Sequence, residues 1–261
     1  MDARNIVITG ASSGIGAALA LRLTADGHRV TLAARRQAEL TAVAKRAGSN
    51  AVAVVTDVTR RSDVERLCVR AVEAFGSIDV WINNAGRGLT RSVMELEDEE
   101  LDDMMAVNLK SALYGMQAVV PHFILRGRGH VINVSSMLSR VPAATYRSAY
   151  NAAKAALNAL TANLRVDLAV QHPGIQVSLV IPGLVTTGFQ QHARRGSPPL
   201  PPAVAREAQT PEEVADRIAD LIEHPVAEIY TNPQHHAQVL RYFQNVGAFE
   251  REGGARRRES V

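Results

Sequence analysis

A doubly wound α/β domain built on a parallel sheet is the fold class this sequence predicts. Three observations carry it. Short β-branched runs alternate with longer helical patterns, the strand runs are apolar nearly throughout, and a glycine-rich turn joins the first run to the first helix. Strands that are apolar on both faces need a helix layer on each side, and such sheets bind ligands at the carboxyl ends of their strands. The 261 residues suit one such domain, able to bury roughly three quarters of its unfolded surface. Composition is that of an ordinary globular protein, 46% hydrophobic and 21% charged.

The strand candidates are, in order, RNIVIT, HRVTLAA, AVAVVT, IDVWINN, GHVINVS, IQVSLVI and AEIYT. Helical patterns fill the intervals near 14–26, 37–47, 62–75, 97–125, 148–171 and 211–224. The last has an explicit start: Thr210 as N-cap, Pro211 at the first helical position and Glu213 completing a capping box. One segment breaks the rhythm, QQHARRGSPPLPPAVAREAQ at 190–209, directly after a strand end. A loop this long in such a place predicts a substrate lid at about 188–210, mobile without ligand. The catalytic domain is expected over 1–231. An extension over 232–261 would add one short helix at 237–245 before a mobile tail.

Charge and cysteine content narrow the class. The formal charge is only +3, with part of it in the terminal GGARRRESV, and no aromatic interleaving or binding motif points to nucleic acid. The single cysteine, Cys68, excludes an intramolecular disulfide and fits a reducing, cytoplasmic setting. It lies in the apolar-periodic run VERLCVRAVEAF and reads as a buried helix residue, not a nucleophile. No run is long and apolar enough for a membrane span, so no membrane partner is expected, and no metal site is proposed.

The turn IVITGASSGIG places Gly10, Gly14 and Gly16 between strand and helix. Glycine permits a tight turn and close backbone approach, and the free N–H groups of the helix start suit a phosphate. The spacing G-x-x-x-G-x-G departs from the general dinucleotide fingerprint, so by itself the turn is weak evidence. It does not stand alone. Asp57-Val58, the NNAG of Asn83–Gly86, Asn108, the NVSS ending in Ser135 and Ser136, Tyr150 with Lys154, and the PGLVTT from Pro182 to Thr187 follow in order.

Together these motifs resemble the short-chain dehydrogenase/reductase family, in the subgroup with a TGxxxGxG turn and a YxxxK pair. The resemblance runs from Asn5 to about Thr231. It implies a Rossmann-type sheet of seven parallel strands, a nicotinamide cofactor, and redox chemistry between a carbonyl and a secondary alcohol of some small molecule. It also implies that Gly10, Ser12, Ser13, Gly14, Ile15, Gly16, Asp57, Val58, Asn84, Ala85, Gly86, Pro182, Gly183, Val185 and Thr187 line the cofactor. Asn83 is expected to tie backbone groups of neighbouring strands. By the same resemblance Lys154 bonds the nicotinamide ribose, Ser136 polarises the substrate oxygen, and Asn108 holds a water linking Lys154 to solvent. Ser136 stands one position farther from the tyrosine than is common in the family, with Ser135 and Ser139 as rivals; Ser135 is expected to turn into the sheet or helix layer.

Tyr150 and Lys154 are four apart, on one face of an alanine-rich helix. Carbonyl reduction needs a proton at oxygen, and a free phenol with pKa about 10 is a slow base for the reverse reaction at pH 7. An ammonium roughly 4 Å away favours phenolate by up to about 4 kcal/mol at an effective dielectric near 20. That is a ceiling of roughly three pKa units, enough to bring the phenol near neutrality.

The second strand reads RVTLAARRQAEL, with Ala34 where an NAD-preferring site carries an acid. Arg35 and Arg36 follow, so NADP(H) is favoured and NAD(H) is possible; Arg35 is the expected reader of the 2′-phosphate and Arg36 the solvated neighbour. Arg194 and Arg195 in the lid either meet an anionic substrate or are solvated loop charges. Apolar side chains on more than one face of ALNALTANLRVDLAV, together with the resemblance, point to a homodimer or homotetramer. Two rival functions fit the sequence less well. A non-catalytic dinucleotide sensor or scaffold would be expected to lose the serine, tyrosine, lysine and asparagine that are present here. A nucleotide-sugar dehydratase or epimerase would need a larger C-terminal substrate domain.

Overall fold

The computed structural model describes residues 3–189, 193–199 and 205–258. Its strands are β1 (Asn5–Thr9), β2 (Arg29–Ala34), β3 (Ala51–Val55), β4 (Val80–Asn83), β5 (Gly129–Val134), β6 (Ile175–Ile181) and β7 (Glu228–Tyr230). All pair in parallel as one seven-stranded sheet in the order β3-β2-β1-β4-β5-β6-β7, as the sequence predicts. The order reverses between β1 and β4, and there the carboxyl ends of the strands open a crevice.

Alternation along each strand feeds two helix layers. Ile6 and Ile8 of β1 pack with α1 (Gly14–Ala25), α2 (Gln37–Ala47) and α7 (Pro211–Glu223). Val7 between them joins Trp81 and Val131 on the opposite face, against α3 (Arg61–Phe75), α5 (Ser111–Arg126) and α6 (Ser148–Ala169). A fully buried side chain such as Ile8 contributes about 1.5–3 kcal/mol, against roughly 0.5–1.5 net for a hydrogen bond, so these two faces hold the sheet together. The start of α7 is as expected: Thr210 Oγ1 accepts from Glu213 N at 3.1 Å, and Glu213 Oε2 accepts from Thr210 N at 2.7 Å.

Two elements differ from the sequence reading. The helix expected over 97–125 is α4 (Asp98–Met105) and α5, joined through a π-helical turn at Ala106–Lys110 that contains Asn108. Such widened turns mark places where a side chain is re-aimed. The extension forms two helices instead of one, α8 (Gln234–Gln244) and α9 (Val246–Arg258), so the expected tail is helical through Arg258. Val239 of α8 packs with Met137, Val141, Leu179 and Ile181, with Tyr242 and Phe249 alongside, because the hairpin covers the loop after β5. Of the proposed lid, 190–192 and 200–204 lie outside the described residues. Residues 193–199 dock on the loop after β4: Thr90 N donates to Arg194 O and Arg194 N to Gly88 O, each at 3.0 Å. Among the described residues no helix is long and apolar enough to cross a membrane.

Candidate active site

The carboxyl ends of β1 and β4 are tied together by one threonine. Thr9 Oγ1 accepts from Asn84 N at 3.0 Å and Ala85 N at 3.1 Å, while Asn84 Nδ2 donates to Thr9 O at 2.9 Å. This crosslink needs glycine beside it. Gly10 has φ +70°, and a Cβ there would stand 2.8 Å from Ala85 Cα. At Gly16 a Cβ would meet Gly10 O at 2.5 Å. Asn84 therefore holds the glycine turn with its amide as well as facing the cleft. Beneath it, Asn83 bonds side chains more than strand backbone: its Oδ1 accepts from Trp81 Nε1 and its Nδ2 donates to Asn133 Oδ1, both at 2.8 Å.

A cleft of about 1280 Å³ runs from this turn to α6. Gly10, Ser12, Ser13, Gly14, Ile15, Arg35, Val58, Asn84, Ala85, Gly86, Ser136, Tyr150, Lys154, Pro182, Gly183, Val185 and Thr187 all line it. Gly16 lies beneath the turn. Asp57 turns its carboxylate to Thr59, accepting from its N at 3.1 Å and Oγ1 at 2.8 Å. At the end of β2, Arg36 is bonded where the sequence reading expects a solvated neighbour. Arg35 is exposed, whereas Arg36 Nη2 donates to Ser12 Oγ at 2.9 Å and Ser13 Oγ at 2.7 Å. Spacing in sequence could not separate two adjacent arginines; the entry of α2 turns the second one toward the glycine turn.

Tyr150 is buried, and the Ser136 hydroxyl near it favours the phenolate. Ser136 Oγ also accepts from Leu138 N at 3.2 Å. Ser135 points away, donating to Asn158 Oδ1 at 2.6 Å, and Ser139 donates to the Ser136 carbonyl at 2.5 Å. Of the three serines, Ser136 is the one that both lines the cleft and acts to lower the phenol's pKa. A short 3₁₀ turn at Met137–Ser139 follows it, in the loop that takes up the extra residue.

The lysine is anchored on the strand end beneath it. Lys154 Nζ donates to Val134 O at 2.8 Å and lies 6.0 Å from the Tyr150 ring centroid. Burial brings its pKa down to about 8. Burial likewise raises the Tyr150 phenol above its ordinary value, opposed by the Ser136 hydroxyl and by the charge of Arg147. Arg147, three positions before the tyrosine, is a buried cation that the sequence reading does not single out.

Asn108 is fully buried and bonds the backbone: Oδ1 accepts from Arg87 N at 3.1 Å, and Nδ2 donates to Arg87 O at 3.0 Å and Met104 O at 3.1 Å. Gly86 separates it from the lysine; a Cβ there would stand 2.9 Å from Asn108 Oδ1 and 3.7 Å from Lys154 Nζ. In the lid segment, Arg194 pairs with Asp103 at 3.2 Å and Arg195 with Glu100 at 2.6 Å, so both serve to dock the segment on α4. Cys68 lies outside the cleft, its thiol pushed up to about 11 by burial. His235 of α8, unmarked in sequence, closes over Gly183, where a Cβ would be 2.0 Å from its Cε1.

Residues 4–198 match the model of the short chain dehydrogenase family. An uncharacterised oxidoreductase of Staphylococcus epidermidis is 35% identical over 181 residues, 69% of this chain and 77% of that protein. Among solved structures, a short chain dehydrogenase/reductase of Burkholderia phymatum in complex with NAD has a TM-score of 0.84 at 26% identity, covering 95% of both chains. An alcohol dehydrogenase from the archaeon Thermococcus sibiricus, complexed with 5-hydroxy-NADP, has a TM-score of 0.76 at 28% identity, over 88% of this chain and 96% of that one. With its sheet order, glycine turn and serine–tyrosine–lysine cleft, the chain belongs to the short-chain dehydrogenase/reductase family of oxidoreductases.

Proposed function

We propose that the protein is an NADP(H)-dependent dehydrogenase/reductase that interconverts a small-molecule carbonyl and the secondary alcohol, with Tyr150 as acid–base. The observation that carries this is the convergence of the Tyr150 phenol, the Ser136 hydroxyl and Lys154 at one end of a cleft whose other end is the glycine turn. At about 1280 Å³ the cleft exceeds the roughly 300–1,000 Å³ of a single small-ligand pocket, which leaves room for a cofactor and a substrate together. The residues fit a dinucleotide: a turn closed to side chains at Gly10 and Gly16, a helix start, and two arginines with Ser12 and Ser13 where β2 ends in Ala34.

The cofactor, when bound, exchanges hydride with the substrate carbon. The chain's own part concerns the oxygen. Ser136 Oγ donates a hydrogen bond to it, and Tyr150 Oη gives it the proton in reduction or removes the proton in oxidation. Lys154 Nζ, with pKa about 8, holds a proton near neutral pH and bonds the ribose. Asn108 Oδ1, beside Gly86, orients a water between the lysine and solvent. NADP(H) is the preferred form because arginine meets a 2′-phosphate where no carboxylate repels it. Solved relatives bound to NAD and to an NADP derivative support a nicotinamide dinucleotide of either kind.

Tyr150→Phe tests the assignment. Screening ketones, ring alcohols and acyl substrates by nicotinamide absorbance supplies the assay. The variant should bind cofactor nearly as the parent does and lose at least about 10²-fold in turnover, the scale of a lost acid–base. Full turnover in a folded Tyr150→Phe protein would overturn the reading. Lys154→Ala should damage turnover and cofactor affinity together.

A further inference from the structure

Beyond Tyr150 the cleft has apolar walls from three parts of the chain. The loop after β5 supplies Met137, Leu138 and Pro142, the segment after β6 supplies Leu184 and Phe189, and α9 supplies Phe249. Phe189 packs edge-on against the Tyr150 ring, with centroids 5.4 Å apart, so the apolar wall begins at the tyrosine itself. Met137 N donates to Pro182 O at 2.7 Å, which joins the first wall to the second. Met137 and Phe249 belong to one apolar cluster, which joins the first to the third. Leu138, Pro142, Leu184, Phe189 and Phe249 are half-buried, so they turn apolar surface to the cleft. Contiguous apolar surface left open in a concave site marks where a ligand completes the burial.

The cations at this end have partners within the chain. Arg87 pairs with Asp103 and Arg241 with Glu252, and the Arg241 guanidinium lies 5.6 Å from the Phe249 ring. Arg147 is 2% exposed and donates from Nη2 to Ser197 Oγ at 2.5 Å. Burial lowers the His235 pKa from its ordinary value, so the imidazole is neutral at pH 7, and Glu207, exposed before α7, adds a negative charge. We propose that the substrate is an uncharged carbonyl compound, or its alcohol, with an extended apolar arm that packs against the C-terminal hairpin. The proposal rests on the reading of Ser136 and Tyr150 as the groups that hold the substrate oxygen. An oxygen held there leaves the rest of the molecule to meet Phe189, Leu138 and Phe249. The third wall lies outside residues 4–198, the part that matches the family model.

The test reads binding apart from chemistry. A ketone beside oxidised NADP cannot turn over, so calorimetric titration of the NADP-loaded enzyme with methyl ketones bearing propyl, pentyl and heptyl arms measures affinity alone. Affinity should rise roughly fourfold per methylene. The heat-capacity change should grow more negative along the series, the mark of apolar burial. A methyl ketone whose arm ends in a carboxylate should bind at least about tenfold more weakly than the uncharged ketone of equal length. Phe249→Ala should cut the heptyl-to-propyl affinity ratio by roughly tenfold, and Leu138→Ala carries the same test if that variant does not fold by circular dichroism. Affinity that stays flat with arm length, or that favours the carboxylate, overturns the proposal, as does an unchanged ratio in the folded variant. Full turnover in Tyr150→Phe, with the binding series still steep, overturns the acid–base reading instead, so the two failures are distinct.

Discussion

Replacing Asn83 by leucine probes the polar scaffold under the cleft. Asn83 ends β4 and is 5% exposed. Its side chain joins the Trp81 indole, the Asn133 amide and, at 3.3 Å, the Ala112 carbonyl of α5. Gly115 packs so closely that a Cβ there would stand 2.3 Å from Asn83 Oδ1, which leaves no room for a water to substitute. Leucine is similar in shape, so the change removes hydrogen bonds with little change in packing. It strands the Trp81 N–H and the Asn133 oxygen, at about 1–3 kcal/mol each. The expected loss is therefore about 2–6 kcal/mol, a large part of the roughly 5–15 kcal/mol that holds a typical domain. Urea unfolding followed by tryptophan emission reports on this site, because Trp81 is the only tryptophan in the chain. The midpoint should fall, and the native emission should change as the indole loses its acceptor. Cofactor affinity should weaken too, since Asn84 next in sequence holds the glycine turn. A loss below about 1 kcal/mol would refute the argument that these groups depend on Asn83.

Other consequences are equally direct. Arg36→Ala should reduce the kcat/KM ratio of NADP to NAD by about tenfold, near the low end for a charged contact because the side chain is 39% exposed, and by more than Arg35→Ala does; the reverse order would return the reading role to Arg35. Gly88→Ala should push aside Arg147 and Phe189, whose ring packs on Tyr150, lowering turnover while fluorescence titration shows cofactor binding retained; unchanged turnover would refute this. Burial holds His130 at about pKa 3, so between the unfolded value of 6.5 and that point the unfolded chain binds more protons. Stability should then fall as pH drops through this window, by up to about 1.4 kcal/mol per unit from this group, and urea unfolding of His130→Gln should show a flatter dependence. Light scattering at micromolar concentration should return a dimer or tetramer, because Leu125, Val166 and Val170 at the ends of α5 and α6 are exposed; a monomer mass would refute this.

What the sequence determined by itself was local. β-branched runs and glycines constrain the backbone directly, so seven strands and the turn with Gly10 at φ +70° and Gly14 at φ +54° were legible before any contact was known. Helical periodicity puts Tyr150 and Lys154 on one face, and resemblance to the family points to Ser136. Tertiary packing decided which partner each side chain meets. Lys154 reaches the Val134 carbonyl because β5 ends beneath α6, and Arg36 reaches Ser12 and Ser13 because α2 enters beside the glycine turn. Arg195 finds Glu100, and Arg147 finds Ser197, across 95 and 50 positions of chain. No periodicity encodes such pairings: a charged side chain takes its strongest partner from whatever the folded layers bring within about 3 Å, and that neighbourhood exists only once the sheet has assembled.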